Sequence, residues 1–299
     1  MVTIERLTEP TYAVGESPVW RAAEGALYWV DIPAKQICRL QVKRGIVDTW
    51  TTSAMVGCIA FRQDGALIAG MEDGIYLLIL GPQSMVTATQ LAAPLFPMHN
   101  MRFNDGRCDR QGRFWAGTMH MDMAAAHAVG GLYRYTAGDG LTGPTQYGLL
   151  TQNGLAWSPV GDLMYLSDSH PKSQLIWVFD YDVDSGSARN RRLFVDMNKY
   201  PGRPDGAAVD ADGCYWTCAN DAGQLLRFTP AGKLDRSIPV PVKKPSMCAF
   251  GGENFDTLFV TSIRPQREAE LAHQPLAGAV FALRPGVSGL PEAQFGVSK

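Results

Sequence analysis

Short apolar and aromatic runs alternate with turns rich in Gly and Asp along the whole chain. The runs are too short for helices, and they are rich in the aromatic and β-branched residues that strands favour. Asp-Gly and Gly-Asp dipeptides between the runs tolerate the positive φ that hairpin turns need. The pattern therefore predicts an all-β protein.

The pattern also repeats. In the first copy, Ser17-Pro-Val-Trp20 is followed by Leu27-Tyr-Trp-Val-Asp31 and then by Ile37-Cys-Arg-Leu40. Five further copies contain aromatic or apolar second strands at 67–70, 114–117, 164–168, 215–217 and 258–260. A spacing of about 40 to 50 residues is the length of chain that one four-stranded blade requires. The sequence predicts a single six-bladed β-propeller domain over residues 1–299, with a pair of packed β-sandwiches as the alternative fold.

Polar residues precede the first strand of several repeats. Glu16 lies before the first blade, Arg102 and Asn104 before the third, Asn153 before the fourth and Asp205 before the fifth. Asn-Gly and Asp-Gly are also ordinary turn sequences, but their recurrence at one blade position favours a shared site at one mouth of the central channel. If they converge, Glu16, Asn153 and Asp205 form an all-oxygen cluster suited to one divalent cation.

Charge and the N-terminal sequence exclude several classes of partner. Lys and Arg number 27 against 29 Asp and Glu, a formal net charge of −2, which gives no field that would favour nucleic acid. The start of the chain lacks the basic and apolar segments of a secretory signal, and no stretch reaches the ~20 apolar residues of a membrane span. We therefore expect a cytoplasmic protein without membrane or nucleic-acid partners; its oligomeric state cannot be inferred from sequence.

The cysteines are scattered rather than clustered as in a disulfide scaffold. Cys214 and Cys218 form the only close pair, and they lack a second pair or a nearby His that would complete a zinc site. We expect all six to be reduced and mostly buried thiols.

Several motifs, in this order, carry a resemblance to a known family. They are Gly15-Glu-Ser-Pro-Val-Trp20, Leu27-Tyr-Trp-Val-Asp31, Arg102-Phe-Asn-Asp-Gly106, Gly112-Arg-Phe-Trp-Ala-Gly-Thr-Met119, Gln152-Asn-Gly154, and Tyr200 with Pro204-Asp-Gly206. Over nearly its whole length the chain resembles the senescence marker protein, regucalcin and gluconolactonase family. The resemblance implies a six-bladed propeller with one divalent ion in its channel.

The resemblance also assigns roles to individual residues. It implies that Glu16, Asn153 and Asp205 bind the ion, and that Arg102 and Asn104 hold substrate hydroxyl and carbonyl groups. A further acidic residue of the family, commonly Glu, corresponds by spacing to Asp122, whose shorter side chain departs from the family pattern. His120 and His170 lie just beyond strands of the third and fourth blades and are weaker candidates for substrate contact.

These residues predict a metal-dependent hydrolase that opens a sugar lactone. A cation, whether Ca, Zn, Mn or Mg, would polarise the lactone carbonyl or activate water, and Asp205 would serve as ligand and general base. Arg102 and Asn104 would orient the sugar, whose identity is left open. The absence of G-x-S-x-G argues against a serine nucleophile elbow.

Two other functions are compatible with the same residues. A metal-dependent esterase or phosphotriesterase could use the same ion on another electrophile. A calcium-binding regulatory protein or a propeller interaction platform would need no catalysis, because a fold does not fix a function.

Overall fold

The strands assemble into six four-stranded antiparallel sheets. A computed structural model describes residues 2–296 of the 299-residue chain. The six sheets are arranged in a ring, and the inner strands of neighbouring sheets contact one another around a central channel. The prediction of a six-bladed propeller is confirmed, and the alternative of paired sandwiches is excluded.

The strands are numbered along the chain, and the inner strand of each blade is named first. The N-terminal strand β1 spans Ile4–Arg6. Blade 1 contains β2 (Gly15–Arg21), β3 (Ala26–Asp31), β4 (Gln36–Gln41) and β5 (Ile46–Thr51), and blade 2 contains β6 (Val56–Phe61), β7 (Leu67–Met71), β8 (Ile75–Leu80) and β9 (Val86–Ala92). Blade 3 contains β10 (Met101–Cys108), β11 (Phe114–His120), β12 (Gly130–Thr136) and β13 (Gly140–Leu149).

The remaining three blades follow in chain order. Blade 4 contains β14 (Gln152–Trp157), β15 (Leu163–Asp168), β16 (Leu175–Asp182) and β17 (Ser187–Asp196). Blade 5 contains β18 (Arg203–Val209), β19 (Tyr215–Asn220), β20 (Gln224–Phe228) and β21 (Leu234–Pro239), and blade 6 contains β22 (Pro245–Gly251), β23 (Thr257–Ser262), β24 (Phe281–Leu283) and β1.

Helical structure is minor. The helix α1 spans Glu268–Ala272, and single 3₁₀ turns lie at Ala22–Glu24 and Met197–Lys199. Within residues 2–296, none of the helical segments has the length and apolar character needed to cross a bilayer.

The ring is closed by strands from both ends of the chain. β1 pairs antiparallel with β24, with Ile4 opposite Leu283 and Arg6 opposite Phe281. This makes the N-terminal segment the outer strand of blade 6. The sequence analysis did not predict it, because a strand of three residues in which Glu5 and Arg6 are exposed has no alternating pattern.

Apolar side chains fill the spaces between blades. In the part of the chain that the structure describes, six buried clusters each join residues of two neighbouring sheets. Trp29 and Trp216 are among the largest side chains that are fully buried there. All six cysteines are buried, as predicted. The propeller is therefore held together by packing between blade faces, which leaves the inner strands free to present polar side chains.

The inner strands share a further feature, a shift in register against the second strand soon after each strand begins. The shifts lie between Glu16 and Val19, Val56 and Cys58, Phe103 and Gly106, Asn153 and Ala156, Pro204 and Ala207, and Pro245 and Cys248. Such bulges redirect side chains from their regular alternation. All six occur at the end of the channel where the inner strands begin, here called the upper mouth.

The opposite, lower end of the channel is crossed by the C-terminal segment, residues 284–296. Its backbone forms hydrogen bonds with residues of four blades: Ala211 N–H with Ser288 O (2.9 Å), Gly289 N–H with Phe255 O (2.8 Å), Phe295 N–H with Phe61 O (2.7 Å) and Gly296 N–H with Gly112 O (3.0 Å). Glu292 also pairs with Arg107 of β10 at 3.5 Å. The C-terminal segment therefore covers the lower end of the channel.

Candidate functional site

Asp205 is a carboxylate at the upper mouth that is held through both of its oxygens. It lies in the bulge of β18, where Asn153 Nδ2 donates to its Oδ1 at 2.5 Å and Asn220 Nδ2 donates to its Oδ2 at 2.5 Å. Both oxygens therefore have a fixed direction, and each keeps a lone pair for another partner. The structure brings Asp205 and Asn153 together as predicted from the sequence.

Asn220 is a residue of the site that sequence reasoning missed. It ends β19, is fully buried, and lies opposite Arg203 in the register of β18 and β19. Arg203 Nη2 donates to its side-chain oxygen at 3.2 Å, which leaves the amide nitrogen directed at Asp205. Its position at the end of a second strand was the available signal, whereas the recurring polar positions of the sequence lie ahead of first strands.

Arg102 and Asn104 form a connected pair at the start of β10. Arg102 Nη1 donates to Phe103 O and to Asn104 Oδ1, both at 2.8 Å, and Asn104 Nδ2 donates to Gln152 O at 2.7 Å. The guanidinium keeps further N–H groups for a ligand. Burial lowers the pKa of Arg102 to about 10, so it stays charged near neutral pH.

Three acidic side chains influence one another at this mouth. Burial, followed by the charges of Asp205 and Asp105, raises the pKa of Glu16 well above its usual range. Burial also raises the pKa of Asp205 to about 6, against the opposing effects of Arg203 and the Asn220 hydrogen bond. Burial and mutual repulsion therefore favour the protonated forms of these carboxyl groups, a perturbation that is frequent at functional sites.

Asp105 is the third of these acids and was not among the predicted site residues. It is buried, its Oδ2 accepts from Leu155 N–H at 2.8 Å, and its Oδ1 has no hydrogen-bond partner in the described part of the chain. Burial raises its pKa. The signal was visible in the Asn104-Asp-Gly106 motif, where Asp105 could equally be read as a turn residue.

The cluster fits a hard divalent cation. Glu16 and Asp205 supply two carboxylates, and the Asn153 amide oxygen has only a 3.2 Å hydrogen bond from Gly154 N–H. Within residues 2–296, no three His, Cys, Asp or Glu side chains converge as a metal site, so a bound cation would need the amide oxygen or water as well. Oxygen ligands of this kind are those of Ca²⁺, Mg²⁺ and Mn²⁺.

Asp122 occupies a different setting from the one expected. Its side chain is exposed, and its Oδ1 accepts from Ala124 N–H at 3.0 Å and Ala125 N–H at 3.3 Å. It therefore caps the turn after β11, a local bond that short acidic side chains favour. No hydrogen bond or ion pair in the described residues joins it to Arg102 or Asp205.

The two candidate histidines support the same loop, residues 121–129. His120 is buried, and its ring meets that of His127 edge-to-face with centroids 4.9 Å apart. His170 Nε2 lies 2.9 Å from Met123 O. Their contacts are therefore with the loop, and their contact with substrate stays a prediction.

Fold and site together define a six-bladed propeller with an acidic, oxygen-rich cluster at its upper mouth. The family described as SMP-30/Gluconolactonase/LRE-like region matches residues 14–264. The chain belongs to this family.

Individual relatives match nearly end to end. The chain is 37% identical to the 6-deoxy-6-sulfogluconolactonase of Pseudomonas putida, over 98% of each chain. It is 34% identical to human regucalcin, over 97% of each. Among solved structures, the regucalcin of Agrobacterium tumefaciens, described as a calcium-binding protein, superposes with a TM-score of 0.90 at 24% identity, covering 98% of this chain and 97% of that one.

Proposed function

We propose that this protein is a metal-dependent sugar lactonase. The observation that carries the proposal is Asp205, whose two oxygens are fixed by amides beside Glu16 and the Arg102–Asn104 pair. The similarity to a lactonase over the full chain supports the reaction class. The cluster of oxygen ligands supports the requirement for a cation.

Glu16, Asn153 and Asp205 are the proposed ligands of the cation, which when bound would polarise a carbonyl and make water more acidic. Asp205 is also the proposed acceptor of the proton from the attacking water, because a carboxylate held beside the cation can serve as a general base. The amides of Asn153 and Asn220 keep its oxygens in one orientation.

Arg102 and Asn104 are the proposed substrate-binding residues. The guanidinium is anchored by one nitrogen only, which leaves Nε and Nη2 for sugar oxygens. A planar cation of this kind holds hydroxyl and carbonyl oxygens in a fixed direction. Asp122 is also a proposed substrate contact. To reach the substrate, its side chain must give up the hydrogen bonds from Ala124 and Ala125 N–H.

A calcium-binding regulatory function is the second candidate. It is supported by the relatives named regucalcin and by the same oxygen cluster. Lactone hydrolysis distinguishes the lactonase from the regulatory protein, because a regulatory cation site requires no catalysis.

The test is acid release from a panel of aldonolactones, followed with a pH indicator. Protein treated with a chelator is compared with the same protein after Ca, Mn, Mg or Zn is restored. Turnover above spontaneous hydrolysis that depends on the cation supports the lactonase. Background rates with every cation, under conditions in which the protein binds Ca²⁺, would instead favour the regulatory function.

A further inference from the structure

A cavity lies between the turn after β7 and the segment that leads into β10, next to the start of the strand that carries Arg102. It has a volume of about 450 Å³ and is lined by Glu72 and Asp73, which follow β7, and by residues 96–101. Met101 is both part of this lining and the immediate neighbour of Arg102. The volume falls in the range of small-molecule sites, roughly 300–1,000 Å³.

The walls of this cavity are fixed by backbone hydrogen bonds. Glu72 N–H donates to Met55 O at 2.9 Å, and Met121 N–H donates to Asn100 O at 2.9 Å. Met101 is buried and pairs with His120 across β10 and β11. The lining is therefore tied to blades 2 and 3 at Glu72, Asn100 and Met101, while residues 97–100 are exposed at the surface.

The polar groups of the lining are mainly acceptors. The Glu72 carboxylate has only a 3.4 Å hydrogen bond, from Met55 N–H, and Asp73 accepts from Tyr76 Oη–H at 3.0 Å. No Lys or Arg is among the lining residues. A ligand group here would meet two carboxylates, which favours hydroxyl donors and opposes an anion.

Glu72 also acts electrostatically on the substrate-binding residue. Its negative charge, with that of Glu16, raises the pKa of Arg102 against the larger lowering by burial. The two side chains form no direct ion pair within the described residues, so the Glu72 carboxylate keeps its capacity to accept hydrogen bonds from a ligand.

We propose that this cavity receives the exocyclic end of the sugar lactone and that Glu72 determines specificity there. A neutral, hydroxylated end donates hydrogen bonds to Glu72, whereas a terminal phosphate or sulfonate is repelled. The inference rests on the proposed lactonase function and adds a specificity-determining residue outside the predicted metal and substrate positions.

The test compares kcat/KM for glucono-1,5-lactone and for its 6-phosphate. The wild-type protein should prefer the neutral lactone by at least about tenfold, and Glu72→Gln should shift the ratio toward the phosphate by roughly three- to tenfold, the effect of one nearby charge. Glu72→Lys should shift it further, and the shifts should shrink at high salt. Glu253→Gln, in a turn at the lower end of blade 6, is the matched control and should leave the ratio unchanged.

The outcomes are distinguishable. Hydrolysis of both lactones with the same ratio in wild type, Glu72→Gln and Glu72→Lys would overturn this inference and leave the lactonase intact. A wild-type preference for the phosphate would overturn it as well. Failure of the wild type to hydrolyse any lactone of the aldonolactone panel with any cation would overturn the lactonase and this inference with it, whereas hydrolysis of other panel members but of neither of these two would overturn this inference alone. Thermal unfolding of each variant checks that the fold is retained.

Discussion

The two ends of strand β18 carry buried aspartates with opposite surroundings. Asp210, just after the strand at the lower end, accepts from Trp216 Nε1 at 2.8 Å and Arg227 Nε at 2.7 Å, and from the N–H groups of Asp212 and Cys214. Asp205, at the upper end, accepts from two neutral amides.

The difference separates a structural carboxylate from one available for chemistry. Asp210 has a cation and enough donors to satisfy its charge inside the fold, so nothing is left for a ligand. Asp205 is held in direction, but its charge is opposed by burial and by Asp105, and its pKa is about 6. Both belong to the same strand or its immediate end, yet only the upper one is poised for a ligand.

The largest expected effect is on activity when the upper aspartate is changed. Asp205→Asn keeps the size of the side chain but removes the proton acceptor and an anionic ligand. Lactone hydrolysis should fall by about 10²- to 10⁴-fold while the fold is retained. Initial rates at saturating cation, with circular dichroism as the check of folding, measure this; activity within a few-fold of wild type would remove Asp205 from the mechanism.

The lower aspartate should affect stability instead. Asp210→Asn leaves Arg227 facing a neutral group in a buried place and should lower the free energy of unfolding by about 3–5 kcal/mol. Urea unfolding measures this change, and Asp184→Asn, at an exposed turn, serves as the control and should change it by less than about 0.5 kcal/mol. A loss below about 1 kcal/mol for Asp210→Asn would show that the two ends do not differ as described.

The smallest effect concerns pH. Because the folded-state pKa of Asp205 is raised to about 6 above its ordinary value, the folded protein binds this proton more tightly than the unfolded chain. Its contribution to stability is full below about pH 4 and is lost as pH rises to about 6, a change on the order of 1–3 kcal/mol.

Urea unfolding of chelator-treated protein between pH 4 and 7 tests this prediction. The difference in free energy of unfolding between Asp205→Asn and wild type should grow in favour of the variant as pH rises. Restored cation should reverse that trend in the wild type alone, since only the wild type keeps both carboxylate ligands. A difference that is independent of pH would contradict the assigned shift.

Repetition made the fold and part of the site predictable. Six copies of one strand pattern fixed the blade boundaries, and the position of Glu16, Asn153 and Asp205 ahead of equivalent strands placed them at one mouth. The bulges that follow each strand start turn these positions toward the channel.

The remaining features depend on contacts between distant segments. Asn220 reaches Asp205 only through the pairing of β18 with β19, because it stands at the end of a second strand and not ahead of a first strand. Asp122 matches the spacing of the family's acidic residue. Its side chain instead accepts hydrogen bonds from Ala124 and Ala125 N–H, and sequence spacing does not distinguish such a turn from a substrate contact. β1 is recognisable as a strand only once β24 lies beside it.

That pairing of β1 with β24 sets an order on biosynthesis. Ile4–Arg6 leave the ribosome before the first five blades are made, whereas Phe281–Leu283, their hydrogen-bonding partners, follow those blades in the chain. At roughly 5–20 residues per second, the nascent N-terminal segment waits about 15 to 55 s for its partner. Until β24 has been made, the ring therefore stays an open arc with two unprotected edges.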